Sequence, residues 1–336
     1  MADHSLTAPS ALVPAFPAPT TSTLATLDAA ILAPAELAAA LRFAAAAKAA
    51  NTNRAYAADW ADFCRWATAR AGSPLPCPPG LLCGYLAALA ESGLRASTIT
   101  RRAAAIAHHH HAAGFDPPTA NPAVRAVLRG IRHTHGTAPR VKTPATADLV
   151  ARMLAVCPAT LIGQRDRALI ALGFAGAFRR SELLALDVAD LTEMPDGLRV
   201  LIRRSKTDPE AAGQEIAIPY GTQLRPVEAL QAWLAAAAIS DGPLFRPVGK
   251  GGTVGPSPLS ADGFVRALKR RAGEAGLDPT GFAGHSLRAG FLTSAAEAGA
   301  DALKMAEVSR HKSLDTLRRY VRRANLFKAH AGAGFL

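Results

Sequence analysis

The sequence predicts a mainly α-helical protein with two domains, the second of which contains a small antiparallel sheet. Apolar residues recur with helical spacing from about residue 32 to 133. A segment rich in helix breakers follows over residues 133–144 and interrupts this pattern. Farther along, residues 198–204 and 214–219 carry the short apolar runs that are typical of strands. At 336 residues, 49% of them hydrophobic, the chain can bury two cores.

The N-terminal part is predicted to consist of a flexible tail and a helical domain. Residues 1–30 are mostly Ala, Pro, Thr and Ser with almost no charge, a composition that buries too little apolar surface to become ordered. The helical domain is placed at residues 31–138. Within it Tyr56, Trp60 and Phe63 recur at i, i+4 and i+7, which puts three aromatic side chains on one helix face.

The remainder is predicted to form a linker over residues 139–146 and a second domain over residues 147–336. The two strand-like segments are separated by the turn-prone run from Asp208 to Gly213, which indicates a β-hairpin. Helices are predicted near residues 164–174, from Arg179 onward, and over 226–239, 261–275, 286–298, 301–308 and 313–323.

The charge of the chain predicts a polyanionic partner. The formal net charge is +12, mostly from arginine, whose planar guanidinium can pair with two phosphate oxygens at once. Residues 101–142 hold seven Lys or Arg against the acid Asp116, and residues 310–328 hold seven against Asp315. Such stretches favour phosphate contact over a solvated surface, although a basic protein without a nucleic-acid role stays an alternative. The predicted DNA contacts are Arg101, Arg102, His108, Arg125, Arg129, Arg132, Arg140, Lys142, Arg204, Arg318 and Arg319.

Several other classes of protein fit the sequence less well. The cysteines Cys64, Cys77, Cys83 and Cys157 have no metal-binding spacing and are too few for a disulfide scaffold. The start lacks a basic leader and no apolar stretch is long enough for a membrane span, so a cytoplasmic protein without a membrane partner is expected. The consecutive histidines 108–111 point about 100° apart on a helix and are not expected to share a metal ion.

Six residues form a candidate catalytic set. Cleavage of a phosphodiester without a metal ion needs clustered cations around the phosphate and a positioned nucleophile. Taken one at a time, each residue has a more ordinary interpretation as a surface, capping or core residue, so the prediction depends on their occurring together. The set is Arg179, Lys206, His285, Arg288, His311 and Tyr320, with Glu182 one helical turn after the first arginine and Lys250 as the alternative lysine.

The segments that carry this set resemble the tyrosine recombinase (phage integrase) family. They read Ala-Phe-Arg-Arg-Ser-Glu-Leu-Leu around Arg179, Gly-His-Ser-Leu-Arg-Ala-Gly around Arg288, and His-Lys-Ser-Leu-Asp-Thr-Leu-Arg-Arg-Tyr ending at Tyr320. The hairpin and the flanks of His285 are also similar to those of the Cre recombinase. The resemblance covers about 300 residues and implies a SAM-like helical core-binding domain followed by a mixed α/β catalytic domain of the DNA breaking-rejoining type.

The resemblance also implies a role for each residue. Tyr320 would attack the phosphorus and form a 3′-phosphotyrosyl bond that stores the bond energy, so neither a metal nor a nucleotide cofactor is expected. Arg179 and Arg288 would hold the non-bridging oxygens of the phosphate. Lys206 would protonate the departing 5′ oxygen.

Two histidines and a glutamate complete the implied site. His285 would hydrogen-bond the phosphate and help to move the proton of the nucleophile, His311 would donate to the same phosphate, and Glu182 would support the first arginine. Such an enzyme works as a homotetramer on two paired duplex sites, through a Holliday junction, with two domains that close around DNA. Two alternatives stay open: a related protein that holds DNA without cutting it, and a type IB topoisomerase.

Overall fold

The computed structural model describes residues 33–46, 50–138, 142–205, 213–311 and 313–324. Within these ranges the chain forms thirteen α-helices and one three-stranded sheet, which confirms the predicted mainly α-helical class with a small antiparallel sheet. Contacts divide the chain into two compact units, Met1–Pro139 and Arg140–Leu336. The predicted tail over residues 1–30, Arg140 and Lys206 lie outside the described residues.

The first unit contains five described α-helices, and the last four of them surround an apolar core. They are α1 (Pro34–Ala46), α2 (Ala50–Thr68), α3 (Pro79–Glu91), α4 (Ala96–Ala112) and α5 (Pro122–His135). Helix α2 packs against α4, and α3 packs against α5. Trp60 and Phe63 of the predicted aromatic stripe are buried with Leu82 and Ile99, while Tyr56 is partly buried. The stripe thus faces the core through its second and third residues.

Two of the four consecutive histidines belong to this core. The ring of His109 stacks on Trp60, with 4.4 Å between the centroids. His110 is fully buried; its Nδ1 donates to the carbonyl of Ile106 over 2.8 Å, and its Nε2 accepts the N–H of Cys77 over 2.9 Å. The second bond needs a neutral ring, and burial lowers the pKa of His110. Among the described residues, no three His, Cys, Asp or Glu side chains gather as a metal site.

We expect the first unit to lose stability as the pH falls below about 6.5, the ordinary histidine value. Because the pKa of His110 is lowered in the folded chain, the unfolded chain binds the proton first and acid favours unfolding. The substitution His110→Gln should lower stability at neutral pH and flatten this acid dependence. Hydrogen exchange of the α4 amides, followed across the pH range, measures both effects.

The matched control is His133→Gln, at an exposed position on α5. It should leave the acid dependence as it is in the unmodified protein. An acid dependence that persists unchanged in the His110→Gln variant would contradict the role assigned to His110.

The second unit is built around a buried central helix. Its helices are α6 (Ala147–Ala155), α7 (Leu161–Ala175), α8 (Arg180–Leu183), α9 (Pro226–Ala236), α10 (Ala261–Glu274), α11 (Ser286–Glu297), α12 (Ala302–Ser309) and α13 (Leu314–Ala324). Helix α7 is buried along most of its length and packs against α6, α9, α10 and α11. Helix α6 is additional to the predicted set. No helix in the described ranges is both long and apolar enough to cross a membrane.

The sheet has three antiparallel strands rather than the predicted two. They are β1 (Leu191–Met194), β2 (Gly197–Ile202) and β3 (Gln214–Pro219), in the order β1-β2-β3. Strands β2 and β3 form the predicted hairpin, and β2 buries Leu198, Val200 and Ile202. The prediction missed β1 because its four residues are mostly exposed and have no apolar alternation. Strand β2 ends before Arg203, whose guanidinium turns away to bond Asp190.

A buried ion cluster joins α7 to α10. Asp166 is fully buried, and its carboxylate accepts hydrogen bonds from Arg165 over 2.7 Å, Arg270 over 2.8 Å and Arg271 over 2.9 Å. Arg271 is itself buried and also bonds Glu274. A buried charge is tolerated only with partners, so this cluster fixes α10 against α7.

The start of α11 lies unusually close to the backbone of Ala145. The N–H of Ala145 donates to the carbonyl of Ser286 over 2.9 Å. A Cβ atom on Gly290 would lie 1.7 Å from the carbonyl oxygen of Ala145, so only glycine fits at this position. This glycine ends the segment Gly-His-x-x-Arg-x-Gly, and it fixes the position of the helix that carries Arg288.

Candidate active site

The loop after α7 holds the first candidate residue. Arg179 caps the short helix α8, and its side chain is mostly buried. Its backbone N–H donates to Oε2 of Glu182 over 2.9 Å, and its Nη1 donates to Oε1 over 2.6 Å. Glu182 is almost completely buried. The contact expected between this arginine and a glutamate one turn later is therefore made.

Helix α11 supplies the second arginine. Arg288 is buried, and its Nη1 donates over 2.8 Å to the carbonyl of Ala177, in the loop that precedes Arg179. His285 is exposed at the start of the same helix. The three-residue spacing puts both side chains on the same face of α11, where His285 is exposed and Arg288 is buried.

His311 follows α12 and lies against Arg288. The Nη2 atom of Arg288 is 3.3 Å from Nδ1 and 3.4 Å from Nε2 of His311. Nδ1 also lies 2.7 Å from the hydroxyl of Ser309, which donates its own hydrogen to the carbonyl of Met305. This assigns the ring hydrogen to Nδ1 and leaves a lone pair on Nε2. Burial and then the charges of Arg288 and Arg179 lower the pKa of His311 to about 4.

In the free protein we expect His311 to titrate near pH 4 because a protonated ring would be buried among guanidinium groups. A phosphate in the site offsets those charges, so the pKa should rise toward the ordinary value and Nε2 should take up a proton. NMR titration of the histidine ring signals, with His311 assigned by the variant His311→Asn, measures both states. A signal of His311 that titrates near about 6.5 in the free protein would contradict this environment.

Tyr320 lies on α13, where it is partly buried against the apolar cluster that joins α11, α12 and α13. At the start of this helix the hydroxyl of Ser313 accepts the N–H of Asp315 over 3.2 Å, as expected for a capping serine. Burial lowers the pKa of Arg288. An ionised phenol at Tyr320 is close enough to raise this pKa of Arg288. The tyrosine and the second arginine therefore share one electrostatic environment.

A residue that the sequence did not single out lies at the centre of the site. Arg310 is almost completely buried, and its Nη2 donates to Oε2 of Glu182 over 2.8 Å and to the carbonyl of Ala177 over 3.1 Å. Its Nη1 donates to the carbonyl of Gly176 over 3.0 Å. The available signal was its place beside His311 in a basic stretch, which does not reveal a carboxylate partner 128 residues away.

The site carries an excess of positive charge. Its described residues include three guanidinium groups around the carboxylate of Glu182. Burial raises the pKa of Glu182, but Arg310 and Arg179 outweigh burial and hold this pKa below its ordinary range. Burial and then the two other arginines lower the pKa of Arg288 to about 9, so Arg288 stays charged at neutral pH. Such a cluster favours an anionic ligand.

Both strands of the hairpin with the predicted catalytic lysine are described, but residues 206–212 between them are not. Lys206 lies outside the described residues, so its place in the site stays a prediction. Arg203 bonds Asp190 over 2.5 Å and Asp187 over 2.8 Å, which fixes the chain just after the end of β2. The alternative, Lys250, is exposed in a separate turn.

Three predicted DNA contacts form a basic face on α5. Arg125, Arg129 and Arg132 are exposed and follow one another at helical spacing, so they lie on one side of the helix. Together with Pro122 and Leu128 they line a shallow cleft. DNA contact by these three residues stays a prediction, and their exposure leaves them accessible to a ligand.

The predicted contacts on α4 have partners within the first unit. Arg101 is half exposed and bonds Asp59, whereas Arg102 is mostly buried and bonds Asp62. His108 is partly buried against an aromatic ring. Phosphate contact by Arg102 would require its guanidinium to leave the present partners, and DNA contact by all three stays a prediction.

The other predicted contacts belong to the second unit. Lys142 is exposed, and its ammonium donates to a backbone carbonyl over 2.9 Å. Arg204 is exposed just after β2, and Arg318 and Arg319 are exposed on α13. Arg140 lies outside the described residues. DNA contact by these residues likewise stays a prediction.

Comparison with known proteins identifies the family of the chain. The sequence model of the Phage integrase family matches residues 145–326. The chain is 41% identical over 290 residues to an integrase/recombinase XerD homologue of Selenomonas ruminantium, covering 84% of this chain and 85% of that protein. It is 25% identical over 268 residues to the recombinase Cre of Escherichia phage P1, covering 74% of this chain and 76% of that protein.

The fold is similar to that of a solved recombinase. A crystal structure of the XerH site-specific recombinase, bound to palindromic difH substrate in a post-cleavage complex, superposes with a TM-score of 0.62 at 17% identity. The match covers 87% of this chain and 81% of that chain. The family match and the 41%-identical relative show a site-specific recombinase of the tyrosine type. The chain belongs to the phage integrase family of tyrosine recombinases.

Proposed function

We propose that the protein cleaves and rejoins duplex DNA at specific sites through Tyr320. The phenolic oxygen of Tyr320 attacks the scissile phosphorus and forms a 3′-phosphotyrosyl bond while the bond from phosphorus to the 5′ oxygen breaks. The phenol loses its proton and the departing 5′ oxygen gains one. A 5′ hydroxyl from the partner duplex then reverses this step, and two such exchanges pass through a Holliday junction. Each exchange conserves a phosphodiester-type bond, so no nucleotide cofactor is needed.

The observation that carries the proposal is the convergence of Arg179, Arg288 and His311 beside Tyr320. These residues come from four separate elements, and the charges of both arginines act on His311. Neighbouring guanidinium groups can pair with the two non-bridging oxygens and stabilise the charge of the transition state. An ordinary surface cluster would expose its arginines, whereas Arg288 is buried and Arg179 is mostly buried.

The remaining residues of the site have supporting roles in this scheme. His311 is neutral before binding, takes up a proton as the phosphate arrives, and then donates from Nε2. His285, exposed at the start of α11, reaches outward to hydrogen-bond the phosphate and to help move the proton of the nucleophile. Lys206 protonates the 5′ oxygen from the hairpin, and Glu182 orients Arg179.

The basic face of α5 supports DNA binding by the first unit. In this scheme residues 31–138 form a core-binding domain, 139–146 a linker and 147–336 the catalytic domain, and the two domains close around one duplex. The XerH complex, which contains its difH substrate, offers a precedent for such binding. We further propose a homotetramer on two paired sites and a cytoplasmic location.

The decisive experiment is to trap the covalent intermediate. A target is first selected from a random duplex library with the full chain and is then prepared with a nick that lets the cleaved strand diffuse away. Mixing it with the protein should give a denaturant-resistant protein–DNA adduct at the 3′ end, and peptide mapping should place the DNA on α13. A protein that binds the selected site without any adduct would point to a binding protein without cleavage.

The topoisomerase alternative is tested on the same preparation. A supercoiled plasmid without the selected site should stay supercoiled, because a recombinase assembles on its own target. Rapid relaxation of that plasmid would favour the topoisomerase. Light scattering on duplexes with two target sites should give four protomers per complex, and a stable two-protomer complex that still completes exchange would contradict the tetramer.

A further inference from the structure

Arg310 combines a strained backbone with a buried charge. It ends α12 in the left-handed conformation, with φ 56° and ψ 46°, a region that a side chain with a Cβ atom disfavours. Glycine would adopt this conformation without strain. Strained residues of this kind persist where surrounding contacts hold them, and they cluster at functional sites. The side chain is 1% exposed, so its contacts are what hold the residue in place.

The guanidinium of Arg310 ties together the parts of the site that carry the other cations. It bonds the carbonyls of Gly176 and Ala177, in the loop before Arg179. The same carbonyl of Ala177 accepts a hydrogen bond from Arg288. The backbone carbonyl of Arg310 accepts one from Nη2 of Arg179 over 3.4 Å. Arg310 thus bonds the loop that contains Arg179 and that also bonds Arg288.

Arg310 also shares the carboxylate of Glu182 with Arg179. Oε1 of Glu182 accepts from the side chain of Arg179, while Oε2 accepts from the side chain of Arg310. Without Arg310, the full negative charge of Glu182 would act on Arg179. With Arg310, three guanidinium groups face one carboxylate among the described residues, and two positive charges are left for a ligand.

We infer that Arg310 is a positioning residue for strand cleavage, which offsets the charge of Glu182 and holds the Arg179 loop, so that Arg179 and Arg288 present a net positive charge to the scissile phosphate. The inference rests on the proposed function. Arg310 does not touch the scissile phosphate in this scheme. It acts through Glu182, Arg179 and the carbonyl of Ala177.

The test compares Arg310→Gly and Arg310→Lys with the unmodified protein in the full chain. Glycine suits the left-handed backbone, so the first variant removes the side chain without adding strain. We expect single-turnover cleavage of the nicked target at saturating DNA to fall about 10²-fold in Arg310→Gly, the scale expected when catalytic groups shift by about 1 Å. Arg310→Lys keeps the charge and should recover part of this loss. Binding of the intact target should change little, because other phosphate contacts are unaffected.

A spectroscopic measurement separates this role from a merely structural one. Arg310 is among the charges that lower the pKa of His311, so that pKa should rise in Arg310→Gly and stay low in Arg310→Lys. The matched control is Arg271→Lys, a buried arginine of the Asp166 cluster on α10. It should lower the melting temperature and leave both the cleavage rate and the pKa of His311 unchanged.

The outcomes are distinct. Wild-type cleavage rates in Arg310→Gly, at a temperature where it is folded, would overturn the inference while leaving the proposed function intact. An equal loss of cleavage rate in Arg310→Lys and Arg271→Lys would also overturn the inference, since it would indicate that any substitution of a buried arginine loosens the second unit. If Arg310→Gly does not fold, the cleavage rates of Arg310→Lys and Arg271→Lys are compared instead. A lower rate in Arg310→Lys alone supports the inference. Absence of any adduct with the unmodified protein would overturn the proposed function instead.

Discussion

Replacing Tyr320 with phenylalanine should abolish the covalent adduct and lower strand cleavage by about 10⁶-fold, the scale seen when a catalytic nucleophile is removed. In the proposed mechanism the phenolic oxygen of Tyr320 is the atom that bonds to phosphorus, and phenylalanine lacks it. The ring of Tyr320 packs against the cluster of α11, α12 and α13, and phenylalanine keeps that packing. Binding of the target should therefore stay near the wild-type level. Denaturing gel analysis of the nicked target measures the adduct.

The control for this variant is Tyr220→Phe. Tyr220 is exposed at the edge of the sheet, where its hydroxyl donates to the carbonyl of Met194 over 3.3 Å. Its substitution should leave cleavage unchanged. Adduct formation by Tyr320→Phe at the wild-type rate would mean that another residue is the nucleophile, and peptide mapping of that adduct would identify it.

Replacing Asp166 with alanine should destabilise the second unit by about 3–5 kcal/mol, the effect expected when one partner of a buried ion cluster is removed. Arg165 and Arg271 would stay buried without the carboxylate that now accepts their hydrogen bonds. The melting temperature should fall on the order of 10 °C for a unit of this size. Calorimetry of the full chain measures it, and the transition of the second unit is the one that should move.

The matched control is Glu307→Ala, which removes one partner of the exposed Lys304–Glu307 pair on α12. Both side chains are more than 60% exposed, so the loss should be below about 0.5 kcal/mol. Similar losses for Asp166→Ala and Glu307→Ala would show that the buried cluster contributes no more than a surface pair, contrary to the burial argument.

Local spacing predicted those parts of the site that neighbours along the chain determine. The Arg179–Glu182 contact spans three residues, the capping role of Ser313 depends on the next two, and His285 and Arg288 lie one turn apart. Such contacts follow from helix geometry alone. The same reasoning predicted the hairpin from the change of period between helix and strand.

The sequence alone did not predict contacts between distant segments. Arg310 reads as one arginine among many, because its role depends on Glu182 and on two backbone carbonyls that only the fold brings near. The bond of Arg102 to Asp62 likewise joins residues 40 positions apart, so the sequence did not reveal this partner. Strand β1 was missed because its exposed side chains give no alternation. In each example tertiary packing, rather than local propensity, determines the outcome.

The contact between Arg179 and the backbone of Arg310 joins residues 131 positions apart. During synthesis Arg179 leaves the ribosome long before Arg310. Helix α13, with Tyr320, follows directly after Arg310. A nascent chain that ends before Arg310 therefore lacks both the proposed nucleophile and the residue that contacts the Arg179 loop. Under the proposed function, such a chain could not cleave a strand.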